Sequence, residues 1–162
     1  MATLKQALQQ SGRINENDLE KGLFDYIIAL KHEFIRLNIK QIDDHQDSKG
    51  KLLQNNDPAY SGIYTKATEE IATAINPKPL TSKRAGDPYN FVWGGDFMNG
   101  FYLYQKNNQI VLGSTGTGTG LKEEFFKGYE NLFGLTEENL REVVKSKLLP
   151  LFIRNIRNTL NI

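Results

Sequence analysis

The sequence predicts an α+β fold, with a small antiparallel sheet built on a central hairpin and packed against a long N-terminal helix and a C-terminal helix. Three observations predict it. Apolar residues recur at helical spacing through 16–40, and again from Thr136 to 161. Between these stripes, Tyr89–Ser114 reads YNFVWGGDFMNGFYLYQKNNQIVLGS. There Asn107-Asn108 separates two apolar and aromatic runs, which is a hairpin signature.

A chain of 162 residues is most simply one domain, 1–162, able to bury a core without staples. Hydrophobic residues make up 39%, too many for a disordered composition. Twenty basic against nineteen acidic residues call for neither nucleic acid nor an anionic membrane. There is no cysteine, so a disulfide, a thiolate-held metal and a thiol nucleophile are excluded for this chain. MATLKQALQQSGR lacks the apolar core of a signal peptide, and no run approaches the roughly 20 apolar residues of a membrane span. The expectation is a protein made in the cytoplasm, with no membrane partner.

Residues 1–13 read as a mobile arm, because Ser11-Gly12 interrupts the face shared by Leu4 and Leu8. In 16–40, Leu19, Leu23, Ile27, Leu30, Phe34 and Leu37 step by three or four and form a core face. Asn15 or Asn17 can cap its start. The polar stretch 41–58 contains Asp43, Asp44, His45 and Asp47, but their spacing does not reproduce a Ca²⁺ loop. Asp47-Ser48-Lys49-Gly50 reads as a turn with Gly50 at positive φ, and no metal is expected.

A second helix is expected from Ser61 to Ile75, with Ile63 or Tyr64, Ala67, Ile71 and Ile75 on its apolar side. Pro77 ends it. Lys78, Lys83 and Arg84 then make a solvated basic loop. Tyr89–Trp93 reads as a strand broken by Gly94-Gly95-Asp96, Phe97–Tyr104 as a strand apolar on both faces, and Gln109–Leu112 as its return.

Residues 113–120, GSTGTGTG, stand where a phosphate loop would, between a strand and a helix. They match neither G-x-x-x-x-G-K-[ST] nor G-x-G-x-x-G, so a flexible loop is expected and no cofactor. A helix over 121–134 carries Phe125, Tyr129 and Leu132 or Phe133 and stops at Gly134. Thr136 caps the last helix, Leu135 staples onto Leu140, and Pro150 kinks or restarts it. Arg154 and Arg157 suit its negative C-terminal end.

Several short segments also follow one another in a familiar order. They are Gln41 with Asp47-Ser48-Lys49-Gly50-Lys51-Leu52, Tyr60-Ser61 with Tyr64-Thr65-Lys66-Ala67-Thr68, Gly94-Gly95-Asp96-Phe97, and Leu132-Phe133-Gly134-Leu135-Thr136-Glu137-Glu138-Asn139. In this order the chain from about Leu23 onward resembles bacteriophage virion proteins of the tail-completion, or virion-morphogenesis, type. The resemblance implies a small α+β fold without catalysis and a ring at the head–tail junction or tail top. The partners would be further copies and other virion proteins, portal, connector or tail, with room for incidental contact with exiting DNA.

The two-faced apolar β region is the candidate surface for such assembly, and the residues expected to carry it are Trp93, Phe97, Met98, Tyr102, Tyr104, Thr115, Thr117 and Thr119. The competing reading is a nucleotide- or phosphate-binding protein using 113–120. Neither His32, inside a helix, nor His45, in a polar loop, belongs to a catalytic constellation.

Overall fold

The computed structural model describes Gly12 and residues 15–160. The arm expected at 1–13 otherwise lies outside the described residues. The fold is mixed helix and strand, with one two-stranded antiparallel sheet. Its elements are α1 (Glu16–Ala29), α2 (Lys31–Asp43), α3 (Lys66–Ala74), α4 (Asp96–Asn99), β1 (Phe101–Lys106), β2 (Gln109–Ser114), α5 (Leu121–Lys127), α6 (Glu137–Val143) and α7 (Leu149–Leu160).

The N-terminal helix is two helices. Asn15 caps α1 by accepting the Asn17 N–H, as its residue type predicts. The chain then breaks at Leu30, whose N–H is shared between the Tyr26 and Ile27 carbonyls. Both halves reach β1. Phe34 and Leu37 are buried, whereas Leu23 of the same stripe stays exposed. The helix also runs on past 40 to Asp43, and buries Asn38, Gln41 and Ile42.

The hairpin turns at Asn107-Asn108, with Lys106 opposite Gln109 and Phe101 opposite Ser114. Asn107 has φ 53°, the left-handed conformation a two-residue hairpin turn demands and Asn tolerates. The other strand expectations need correcting. Residues 89–93 form no strand. Phe91 sits at φ 55°, outside the β region, and the Val92 N–H goes to the Asn90 side chain instead of a neighbouring strand. Tyr89 and Phe91 alternate because both pack on one aromatic cluster. Residues 96–99 form the single helical turn α4, so the strand starts only at Phe101.

Three helix expectations change as well. The helix foreseen over 61–75 begins at Lys66, capped by Thr65. It turns Ala72 inward while Ile71 and Ile75 face out, the reverse of the expected apolar side. The helix foreseen over 121–134 stops at Lys127, where Gly128 lies against the Asn55 side chain. Gly134, at φ 122°, belongs to the following loop. The last helix starts at the Thr136 cap as expected. It passes through a π-helical segment, Val144–Leu148, in which the Leu149 N–H reaches the Val144 carbonyl, and continues without a break as α7. Pro150 lies just after this segment, whose wider turn is where the helix adjusts to a residue without an N–H.

The interior has two parts. An aliphatic part beneath the hairpin joins Phe34, Leu37, Leu103, Val143 and Leu148. An aromatic part centres on Phe97 and Phe126, whose rings stack with centroids 4.5 Å apart, together with Ile42, Leu53, Tyr129 and Leu132. Polar groups join the two. Asn38 Nδ2 donates to the Leu132 and Gly134 carbonyls. Gln41 Nε2 donates to Gly134 O, and its Oε1 accepts the Thr136 N–H at 2.9 Å.

Candidate functional site: an aromatic cavity with a buried lysine

An apolar hollow lies over the aromatic part of the core, and the loop 76–95 forms one wall. Lys83 anchors that wall. Its side chain leaves the loop and turns inward, so that the residue is only 4% exposed. Its Nζ donates to Thr81 Oγ1 at 2.6 Å, to Asn90 Oδ1 at 2.8 Å and to the Val92 carbonyl. Asn90 is the hub of the wall, since it also accepts from the Tyr64 hydroxyl at 2.9 Å and donates to Thr81 Oγ1. These bonds take the place of the strand pairing that 89–93 lacks, which is why the segment holds its shape without a sheet.

The hollow has a volume of about 360 Å³. Tyr60, Tyr64, Tyr89, Phe91, Trp93 and Phe125 line much of it. Tyr60 meets Phe125 edge-on at 5.0 Å, and Tyr64 meets Tyr89 at 4.9 Å. The Lys83 ammonium stands 5.4 Å from the Tyr64 ring centroid, where the negative face of the ring attracts it. Among the described residues Lys83 forms no ion pair. Burial lowers its pKa from the usual lysine value. Burial likewise raises the Tyr64 phenol, against the pull of the Asn90 backbone N–H that donates to its oxygen. On the rim, Lys122 pairs with Asp96, and this hydrogen bond holds the Asp96 carboxyl below the usual carboxylate range.

The expected assembly residues are scattered. Phe97 is 1% exposed and sits at the centre of the core, so in this conformation it is not a surface residue. Met98 packs half-buried against the same cluster. Trp93 lies at the edge of the cavity. Tyr102 and Tyr104 project from the outer face of β1, 37% and 44% exposed, with ring centroids 5.6 Å apart. Thr115 and Thr119 are exposed and Thr117 half-buried.

The Gly/Thr segment is in part regular structure. Gly113 and Ser114 complete β2, and 115–117 form a 3-10 turn in which Gly116 is buried. Ser114 Oγ donates to the Phe97 carbonyl and accepts the Gly116 N–H. The basic loop does not present three charges together either, because Lys83 points inward while Lys78 and Arg84 stay exposed. In the 43–47 segment, Asp47 Oδ1 is occupied by the Lys49 and Lys51 N–H groups. Among the described residues no group of three metal-ligating side chains assembles, and no helix is long and apolar enough to cross a membrane.

Sequence reasoning missed Lys83 and Lys122. A lysine two residues after a threonine in a proline-containing loop carries no signal of burial. Only the distant Asn90 and Tyr64 explain it. No family model matches the chain, and no curated protein or solved structure matches it either.

Proposed function

We propose that this chain is a non-enzymatic bacteriophage virion protein of head–tail joining or tail completion, assembling as a ring at the neck or tail top. The observation that carries this reading is where the resembling segments fall. Each is a joint of the architecture. Asp47–Gly50 is a turn whose Ser48 N–H reaches the Asn131 carbonyl. Thr65 caps α3. Gly95, at φ 83°, precedes α4 and leads Phe97 into the core. The 134–139 stretch is bound through Asn38 and Gln41. A set of residues that builds joints rather than a reactive centre supports a structural role.

The hairpin supplies a surface for assembly. Leu103 faces the core while Tyr102 and Tyr104 face outward, so one face of β1 is left for a neighbour. Head-to-tail contacts of this kind close into rings when the rotation permits. Partners would be further copies and the portal, connector or tail proteins, and the protein would be found in virions assembled in the host cytoplasm. The phosphate-loop alternative needs free N–H groups in 113–120, and the Gly116 N–H is already donated to Ser114 Oγ. Light scattering and electron microscopy of the purified protein, alone and with portal or tail components, test the proposal. Rings, or incorporation into particles, are expected. A strict monomer absent from mature particles would sink it.

A further inference from the structure

We infer that the cavity beside Lys83 is a binding site for a small flat aromatic molecule carrying one negative charge, an aromatic carboxylate being the simplest case. The site stands apart from ring assembly and does not depend on it.

Shape argues for the flat aromatic body. A volume of about 360 Å³ lies within the usual range for small-ligand pockets, roughly 300–1,000 Å³. The walls are rings set at steep angles to one another, with Tyr60 and Phe125 at 83° and Tyr89 and Phe125 at 61°. Walls of this kind suit an inserted ring, which can meet them in offset or edge-on contact, the geometries aromatic pairs prefer.

Charge argues for the anion. Among the described residues the Lys83 ammonium is bound only by neutral acceptors: a hydroxyl, an amide oxygen and a backbone carbonyl. These satisfy its protons but bring no negative charge, and the Tyr64 ring offsets only part of the cost of burying it. The other charged groups of the cavity, Asp96 and Lys122, are paired with each other. The cavity wall therefore carries one uncompensated positive charge. A carboxylate entering the hollow meets that charge through space. Lys122, partly exposed at the rim, has further ammonium protons to offer it directly.

Trp93 makes the inference measurable, because it is the only tryptophan of the chain and it lines the cavity. Full-length protein is titrated with benzoate, benzamide and benzylammonium while Trp93 fluorescence is followed. A saturable change with benzoate is expected, at millimolar affinity or tighter as suits so small a ligand. Benzamide is expected to bind at least about fivefold more weakly, the equivalent of about 1 kcal/mol, and benzylammonium more weakly still. In Lys83→Met, which keeps an unbranched side chain one atom shorter and removes the charge, the preference for benzoate over benzamide should fall to within about twofold. No saturable change with benzoate would overturn the inference, as would equal binding of all three, or a preference that a folded Lys83→Met retains. Should that variant fail to fold, the order of the three probes on the unmodified protein decides alone.

Discussion

Gly116 lies against the backbone of Phe97. A Cβ built at Gly116 would come within 2.3 Å of Phe97 Cα and of the Asp96 carbonyl oxygen. The turn after β2 is thereby pressed onto α4, and Ser114 Oγ reinforces the contact through the Phe97 carbonyl. Only glycine allows two main chains to approach so closely, and neither backbone can move aside cheaply. Gly116→Ala should destabilise the protein by about 3 kcal/mol or more, at the top of the range for overpacking. Gly94 is the control, since nothing lies within 4 Å of its added Cβ and its φ is not in the left-handed region. Gly94→Ala should stabilise by about 0.4–1 kcal/mol through the unfolded chain. Urea denaturation of both variants checks the pair.

Gln41 is 2% exposed and joins the helix α2 to the start of α6. Its amide accepts from the Thr136 N–H and from Asn139 Nδ2 at 2.7 Å, and donates to the Gly134 carbonyl. Gln41→Leu leaves these partly buried groups unpaired and should cost about 2–4 kcal/mol. Removing the cap hydroxyl by Thr136→Ala should cost only about 1 kcal/mol. If the two losses prove equal by chemical denaturation, the amide is not the main tie between these segments.

The buried ammonium has a pH signature. Burial lowers the Lys83 pKa from 10.5, so the unfolded chain keeps this proton to higher pH than the folded one. Stability from this group therefore rises with pH, from the folded value up to 10.5. Tyr64 acts in the opposite sense. Burial raises its phenol from 10.0, so the folded chain holds a proton that the unfolded chain loses, and stability falls as pH climbs past 10.0. Lys83→Met removes the first effect alone. The stability of the unmodified protein relative to Lys83→Met should grow as pH rises toward 10.5. A flat difference would mean that the ammonium is not held away from water.

Substitutions on the outer face of the hairpin separate folding from the proposed assembly. Tyr102 covers its cross-strand partner Gly113, where an added Cβ would stand 2.6 Å from the tyrosine hydroxyl. Tyr102→Ala uncovers that glycine and should destabilise the hairpin by about 1 kcal/mol. Tyr104 lies opposite Val111 and is more exposed. Tyr104→Ser should leave the thermal midpoint nearly unchanged while lowering the oligomer fraction at a fixed concentration, read by light scattering. Unaltered assembly in Tyr104→Ser would place the contact surface elsewhere.

Features that depend on a few neighbouring residues were legible in the sequence. The turn at Asn107-Asn108, the caps at Asn15 and Thr136 and the turn at Asp47–Gly50 all stand where local chemistry puts them. So does the α+β class, because helical periodicity and the hairpin turn are each written in residues close together in sequence. Tertiary structure alone decided the break at Leu30, the outward turn of Ile71 and the loop at 89–93. It also decided that Phe97 is a core residue and that Lys83 points inward. The physical reason is the same in each case. An alternating or stepped run of apolar side chains reports that something is buried, but not against what. Asn90, Tyr64 and Thr81 supply the partners that let a lysine and an unpaired backbone segment leave water, and those partners meet only when the chain has folded.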